Sequence, residues 1–212
     1  MLDSNLMNAL RNQRIALLVL SLSLICFLLI AFLRSSFSTA DANVNSWVVS
    51  IQSPAFTQIA KIIHYGFGTT PLVLIALSLA AYLFYRRHRN DALLLVAAML
   101  GVLIIVPIVK WSIHSPRPLN WIIQVTGYSF PSGHVMNTVV LLGALTYLIW
   151  QHFKSRNVKI LSGILFVLIS LLVGFDRIYL NAHWFSDVLG AYSLGVFWLT
   201  FSIVAFRLQT AK

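Results

Sequence analysis

Residues 160–206 read ILSGILFVLISLLVGF (160–175), DRIYLNAHWFSD (176–187) and VLGAYSLGVFWLTFSIVAF (188–206). Two apolar stretches, Ile160 to Gly174 and Val188 to Phe206, flank a short segment that carries Arg177, His183 and Asp187. Ionisable side chains at membrane depth or at its edge are costly and are kept for function. The cluster also holds the parts of an activated nucleophile: an imidazole, a carboxylate to orient it and a guanidinium for an anion. A helix beginning near His183 would bring Asp187 to the same face one turn later.

The same alternation covers the chain. Of its 212 residues 59% are hydrophobic and only 9% charged, with a mean hydropathy of +0.85. A soluble domain carries roughly 25% charged residues, so the composition specifies a multi-span membrane protein. Spans are expected at about 15–33, 69–85, 92–109, 135–150, 160–174 and 188–206. The expected fold is therefore all-α, a six-transmembrane helical bundle forming one domain over 1–212, with no room for a separate soluble domain.

A cleavable signal peptide competes for the first span, because Ala40-Asp41-Ala42 resembles a cleavage site. The apolar stretch exceeds the usual signal core of about 7–15 residues, which favours an uncleaved anchor. Between spans one and two, Trp47, Phe56, Ile59, Ile63 and Phe67 recur at helical intervals within parts of the stretch. That pattern predicts short amphipathic helices at the interface or packed on the bundle, separated at Pro54. Single residues there, His64 included, read as a packed connector. Cys26 reads as core packing, and Ala97, Gly101, Gly143, Gly190 and Gly195 as small residues at span contacts.

The formal charge of +10 is scattered over span ends, which suits lipid headgroups and orientation better than nucleic acid. With the N-terminus inside, the inner flanks hold Arg11, Arg14, Arg86, Arg87, Arg89, Lys154, Arg156, Lys159, Arg207 and Lys212. The outer side holds Arg34, Lys61, Lys110, Arg117 and Arg177. That bias places both termini in the cytoplasm. Span parity then puts the connections 110–134 and 175–187 together on the outer face.

Those two connections concentrate the chemistry. Lys110, Arg117 and Arg177 supply an anion site from separate elements, the guanidinium forks matching phosphate oxygens. Ser132 and Gly133 stand where span four begins; free N–H groups at a helix start bind phosphate, and glycine lets it approach. Asp187 can accept from one ring nitrogen of His183 and leave the other as a nucleophile. His134 remains as the acid for the leaving oxygen. Singly, each of these residues reads as a snorkelling base, a turn or a satisfied histidine. Together on one face they form an active site.

These residues resemble the tripartite signature of the type 2 phosphatidic acid phosphatase superfamily. Its Lys-x6-Arg-Pro motif appears as Lys110-Trp-Ser-Ile-His-Ser-Pro-Arg117-Pro118. Its Pro-Ser-Gly-His motif is Pro131-Ser132-Gly133-His134, and Ser-Arg-x5-His-x3-Asp is matched from Arg177 through His183 to Asp187. The resemblance implies a lipid phosphatase that needs no metal or other cofactor. It implies His183 as the nucleophile that becomes phosphohistidine, Asp187 as its partner and His134 as the acid. Lys110, Arg117, Ser132, Gly133 and Arg177 would hold the phosphoryl oxygens.

The serine before the arginine of the third motif is Asp176 here, a carboxylate that would either repel substrate or pair with Arg177. His114, inside the first motif, reads as a loop residue. The resemblance implies undecaprenyl pyrophosphate as the substrate, acted on at the outer face of a bacterial cytoplasmic membrane. Phosphatidylglycerophosphate, phosphatidic acid or transfer of the phosphoryl group to another lipid is the alternative. A lipid transporter or a membrane scaffold would have no need of two histidines and a carboxylate.

Overall fold

The computed structural model describes residues 4–210, all of its regular structure helical. The helices are α1 (Ser4–Phe32), α2 (Ser38–Ser50), α3 (Pro54–Gly66), α4 (Thr69–Tyr85), α5 (Arg89–Ile113), α6 (Gly133–His152), α7 (Arg156–Tyr179) and α8 (Phe185–Thr210). A 3-10 turn, Arg34–Phe37, joins α1 to α2. Lys212 lies outside the described residues.

Among the described residues five helices are long and apolar enough to cross a membrane: α1 from Gln13, α5, α6, α7 and α8 to Leu208. The pair α3 and α4, bent by 45° at a short break, makes a sixth when the two are taken as one span. At 17 residues α4 reaches only about 26 Å at 1.5 Å per residue, short of the roughly 30 Å hydrocarbon core. Pro54 does open α3: Ser53 is its N-cap, the hydroxyl accepting from Phe56 N at 3.4 Å, and Pro54 fills the first position, where no N–H is needed. On α3, Phe56 and Ile59 are exposed while Ile63 packs on the core, as does Phe67 just after the helix.

The central helix is α6. Over the span windows 56% of its residues are buried, against 11% for α1. Helices α5, α7 and α8 enclose it, and glycines allow close approach. Gly101 lies against Trp198, Gly143 against Leu199, Gly190 against Phe130 and Gly195 against Val139. A Cβ at the first three would collide with its neighbour, so van der Waals packing here depends on small residues.

Two packing expectations are corrected. Ala97 is exposed and its neighbour Ala98 is buried, because the buried stripe of α5 runs through Leu94, Leu95, Ala98, Val102 and Val106 and Ala97 lies off it. Cys26 is exposed as well. Helix α1 is apolar all round but packs through one stripe that includes Ser23 and Phe27. Its remaining faces are suited to lipid, and hydropathy does not distinguish the two.

Helix ends are also corrected, to the benefit of the site. Helix α5 continues to Ile113, so Lys110 sits in its last turn rather than in a loop. Arg177 likewise belongs to the last turn of α7. His114 ends α5 with φ 53 and ψ 34, and its ring meets Trp111 and Tyr128. Helix α8 starts at Phe185, two residues after His183. The His183–Asp187 pair is therefore made between a loop and a first turn, not along one helical face.

Candidate active site

The residues after α7 fold back on that helix. His183 N and Ala182 N both donate to Arg177 O, at 3.2 and 3.1 Å, and Leu180 N donates to Asp176 O at 3.0 Å. This closes the segment into a compact turn with Asn181 at φ 51, a conformation that asparagine tolerates better than most residues. The N-terminal third holds the turn from outside. Asn45 Nδ2 donates to Asn181 Oδ1 at 2.9 Å, and Gln52 Nε2 donates to Tyr179 O at 2.9 Å.

Asp187 ends this turn as the third residue of α8. Its Oδ2 accepts from Trp184 N at 2.9 Å, the reciprocal half of a helix capping box. The same oxygen lies 3.4 Å from His183 Nδ1. The pair is within ion-pair reach, but the ring N–H is not aligned for a hydrogen bond. Such catalytic contacts are often loose before substrate binds. Both side chains are buried, at 5% and 0% exposure. Burial pushes the His183 imidazole down to about 4, and the Asp187 carboxylate beside it offsets this only in part. His183 is thus a neutral imidazole near pH 7.

The other ring nitrogen, Nε2, lies 3.4 Å from Arg117 Nη1. Arg117 reaches it from the loop after α5, held in place by carbonyls. Its Nε donates to Gly127 O at 2.9 Å, Nη1 to Ala182 O at 2.6 Å and Nη2 to Thr126 O at 2.8 Å. Lys110 Nζ donates to Tyr128 O and to Ser129 O. Ser129 Oγ in turn donates to Asp187 Oδ1 at 3.4 Å, which links the first motif to the third.

The second motif joins through the backbone, since Ser132 N donates to Asp187 O at 3.3 Å. Ser132 is the N-cap of α6 without using its hydroxyl to cap. Gly133 begins that helix. A Cβ there would meet only Val106 Cγ1 at 3.6 Å, an ordinary contact, so protein packing does not explain why the residue is glycine. His134 follows, its ring stacked on His64 at 4.9 Å between centroids and 21° between planes.

His64 was legible only as a connector residue, yet it is part of the constellation. Its Nδ1 is 2.6 Å from Arg177 Nη1. Asp176 takes the remaining side of that guanidinium, with Oδ2 accepting from Nε at 2.9 Å and from Nη2. The departure from the family serine is therefore a pairing carboxylate. Arg34 is the second residue the sequence did not single out: its Nη1 donates to Asp187 Oδ1 at 3.0 Å. Neither lies within three or four residues of a motif, and only the fold brings them there.

The structure thus joins Arg117, Ser132, His183 and Asp187 directly, Lys110 through Ser129, and Arg177 through His64 to His134. Ser132 Oγ and His134 Nε2 are buried atoms with no hydrogen-bond partner. Leaving such a group unpaired costs about 1–3 kcal/mol, and a concentration of them marks where a ligand is expected. Among the described residues, one group has metal-ligand spacing: His88, Asp91 and His152. It stands at the far end of α6, about 30 Å from Gly133 by helical rise.

Comparison with known proteins places the chain in a family. The family model of the PAP2 superfamily matches residues 91–211. The chain belongs to the PAP2 superfamily. It is 32% identical to phosphatidylglycerophosphatase B of Bacillus subtilis over 82% of this chain and 88% of that protein. It is 28% identical to an undecaprenyl-diphosphatase of Sulfolobus acidocaldarius over 58% of each. Its fold matches the crystal structure of a transmembrane PAP2-type phosphatidylglycerolphosphate phosphatase from Bacillus subtilis, with a TM-score of 0.75 and 26% identity. That match covers 88% of this chain and 96% of the other. The chain is accordingly a multi-pass membrane enzyme, a phosphoric ester hydrolase of the lipid phosphatase family.

Proposed function

We propose that this PAP2 enzyme removes the terminal phosphate of undecaprenyl pyrophosphate at the outer face of a bacterial cytoplasmic membrane, through a phosphohistidine. His183 Nε2 attacks phosphorus while Arg117, Lys110 and Arg177 hold the non-bridging oxygens, aided by Ser132 and the N–H groups that open α6. His134 donates a proton to the departing lipid phosphate as the P–O bond breaks. His134, then a base, takes a proton from water, whose oxygen displaces His183 and frees inorganic phosphate. No step calls on a metal.

The observation that carries this reading is the pair of roles on one imidazole. His183 presents Nδ1 to Asp187 at 3.4 Å and Nε2 to Arg117 at 3.4 Å. One nitrogen faces an orienting carboxylate, the other an anion-binding guanidinium. A lipid substrate is supported by an apolar groove of about 360 Å³ between α3 and α7, whose lining includes Phe56, Ile63, Leu172, Phe175 and Asp176. The excess of bases on the flanks opposite the site supports cytoplasmic termini and an outward site.

A second substrate, phosphatidylglycerophosphate, is favoured by the name of the Bacillus subtilis relative. Purified protein in detergent with excess chelator, given each lipid at equal surface concentration, separates the two by kcat/KM. Higher kcat/KM for the prenyl pyrophosphate supports the first reading. Preference for phosphatidylglycerophosphate replaces it with the second, and an absolute metal requirement overturns the mechanism.

A further inference from the structure

Arg34 stands at the start of the 3-10 turn after α1, where a span-end arginine would ordinarily reach for headgroups. It does not. Its side chain is 18% exposed, and among the described residues its guanidinium bonds inward. Nη1 donates to Asp187 Oδ1 at 3.0 Å, Nη2 donates to Ser115 Oγ at 2.6 Å, and the guanidinium lies 4.5 Å from the centre of the Phe130 ring. Ser115 Oγ is 2.8 Å from Ser129 Oγ, which itself contacts Asp187 Oδ1.

The two oxygens of Asp187 therefore have separate duties. Oδ1 is taken by Arg34 and Ser129, while Oδ2 is left to Trp184 N and His183. A carboxylate with no exposed surface must be compensated by charge and hydrogen bonds, and Arg34 is the charged group bonded to it. Rotation of the carboxylate would break the Arg34 bond, so the same contact fixes the direction of Oδ2. The adjoining residue is clamped from the same N-terminal region: Asp41 accepts from Ser186 N at 2.8 Å and from Ser186 Oγ at 2.7 Å.

We propose that Arg34 is a positioning residue of the catalytic apparatus, acting through Asp187 to aim and charge-balance the carboxylate that orients His183. This rests on the reading of His183 as nucleophile. The family match spans 91–211, so the turn after α1 supplies a functional part that lies outside that region. Arg34 touches neither His183 nor the phosphate ligands, which separates its role from theirs.

The test is a kinetic double-mutant cycle on the full-length protein with Arg34→Met, Asp187→Asn and both together, plus Arg34→Lys. Arg34→Met is expected to lower kcat by roughly 10–100-fold, the range for outer partners that orient a reactive ligand, with KM nearly unchanged. Arg34→Lys recovers part of the loss, and the double variant is no slower than Asp187→Asn alone. Millimolar guanidinium raises kcat of Arg34→Ala but not of Asp187→Asn. A normal kcat in Arg34→Met, a change in KM alone, or additive losses in the cycle would overturn the proposal. If Arg34→Met does not fold, Arg34→Lys and Arg34→Gln carry the same cycle. His183→Ala, run in parallel, reports on the underlying reading: if it is fully active that reading fails, whereas an inactive His183→Ala beside a normal Arg34→Met removes only this inference.

Discussion

Asp176 and Arg177, adjacent in the last turn of α7, close on each other so that one carboxylate oxygen accepts from two guanidinium nitrogens. Both side chains are 1% exposed. The pair fixes the direction of the guanidinium, and on the proposed reading that cation also faces the phosphate. Asp176→Ser, which restores the family residue, leaves that buried cation short of a partner. Removing one member of a buried pair costs about 3–5 kcal/mol, so the melting temperature falls. Vanadate or phosphate then replaces the lost anion and raises it by more than in the unmodified protein. Equal ligand-induced shifts in the two proteins would remove Arg177 from the phosphate site.

His64 links Arg177 to His134, accepting from the one and stacking on the other. His64→Phe keeps a ring against His134 but removes the acceptor. A net hydrogen bond to a charged group is worth about 1.5–3 kcal/mol, so kcat/KM is expected to fall roughly 10-fold or more, with the fold intact by circular dichroism. Unchanged kcat/KM would return His64 to a packing role.

Gly133→Ala separates folding from binding. The added methyl meets only Val106 at an ordinary distance, and glycine-to-alanine changes in compatible helical positions stabilise by about 0.4–1 kcal/mol. Thermal stability is therefore kept or slightly raised. The same methyl crowds a phosphate against the start of α6, so KM for lipid substrate rises. A normal KM would mean that phosphate does not approach this backbone.

The pH dependence follows from His183. Burial lowers its imidazole from 6.5 to about 4, and a nucleophile must be unprotonated. In kcat/KM of the free enzyme, the acid limb due to this group lies near pH 4 rather than near 6.5. The stability contribution has the matching sign. The unfolded chain binds the extra proton first, so stability is full above about pH 6.5 and is lost as the pH falls towards 4. Phosphate release measured in detergent from pH 4 to 8 checks the first statement, and chemical denaturation over the same range checks the second.

What could be read from the sequence divides along physical lines. Five spans and α4 follow from runs of apolar residues long enough to be recognised, and Lys110, Arg117, Ser132, His134, Arg177, His183 and Asp187 stood out through local spacing. Arg34 and His64 did not, because their roles arise from contacts across 153 and 113 positions of chain. A base after one span and a histidine in an amphipathic helix have no local pattern that distinguishes them from an anchor or a connector. Cys26 and Ala97 were misplaced for a related reason. In lipid both faces of a helix are apolar, so hydropathy marks the span but not its buried stripe.

The central claim is that His183 carries the phosphoryl group. Substrate labelled in its terminal phosphate, mixed with enzyme and quenched in alkali within the first turnover, tests it directly. Covalent label should appear on the peptide containing His183, stable to base and lost in acid. The folded His183→Ala protein should take up no label and release no phosphate. Phosphate release by that variant at the unmodified rate would contradict the account.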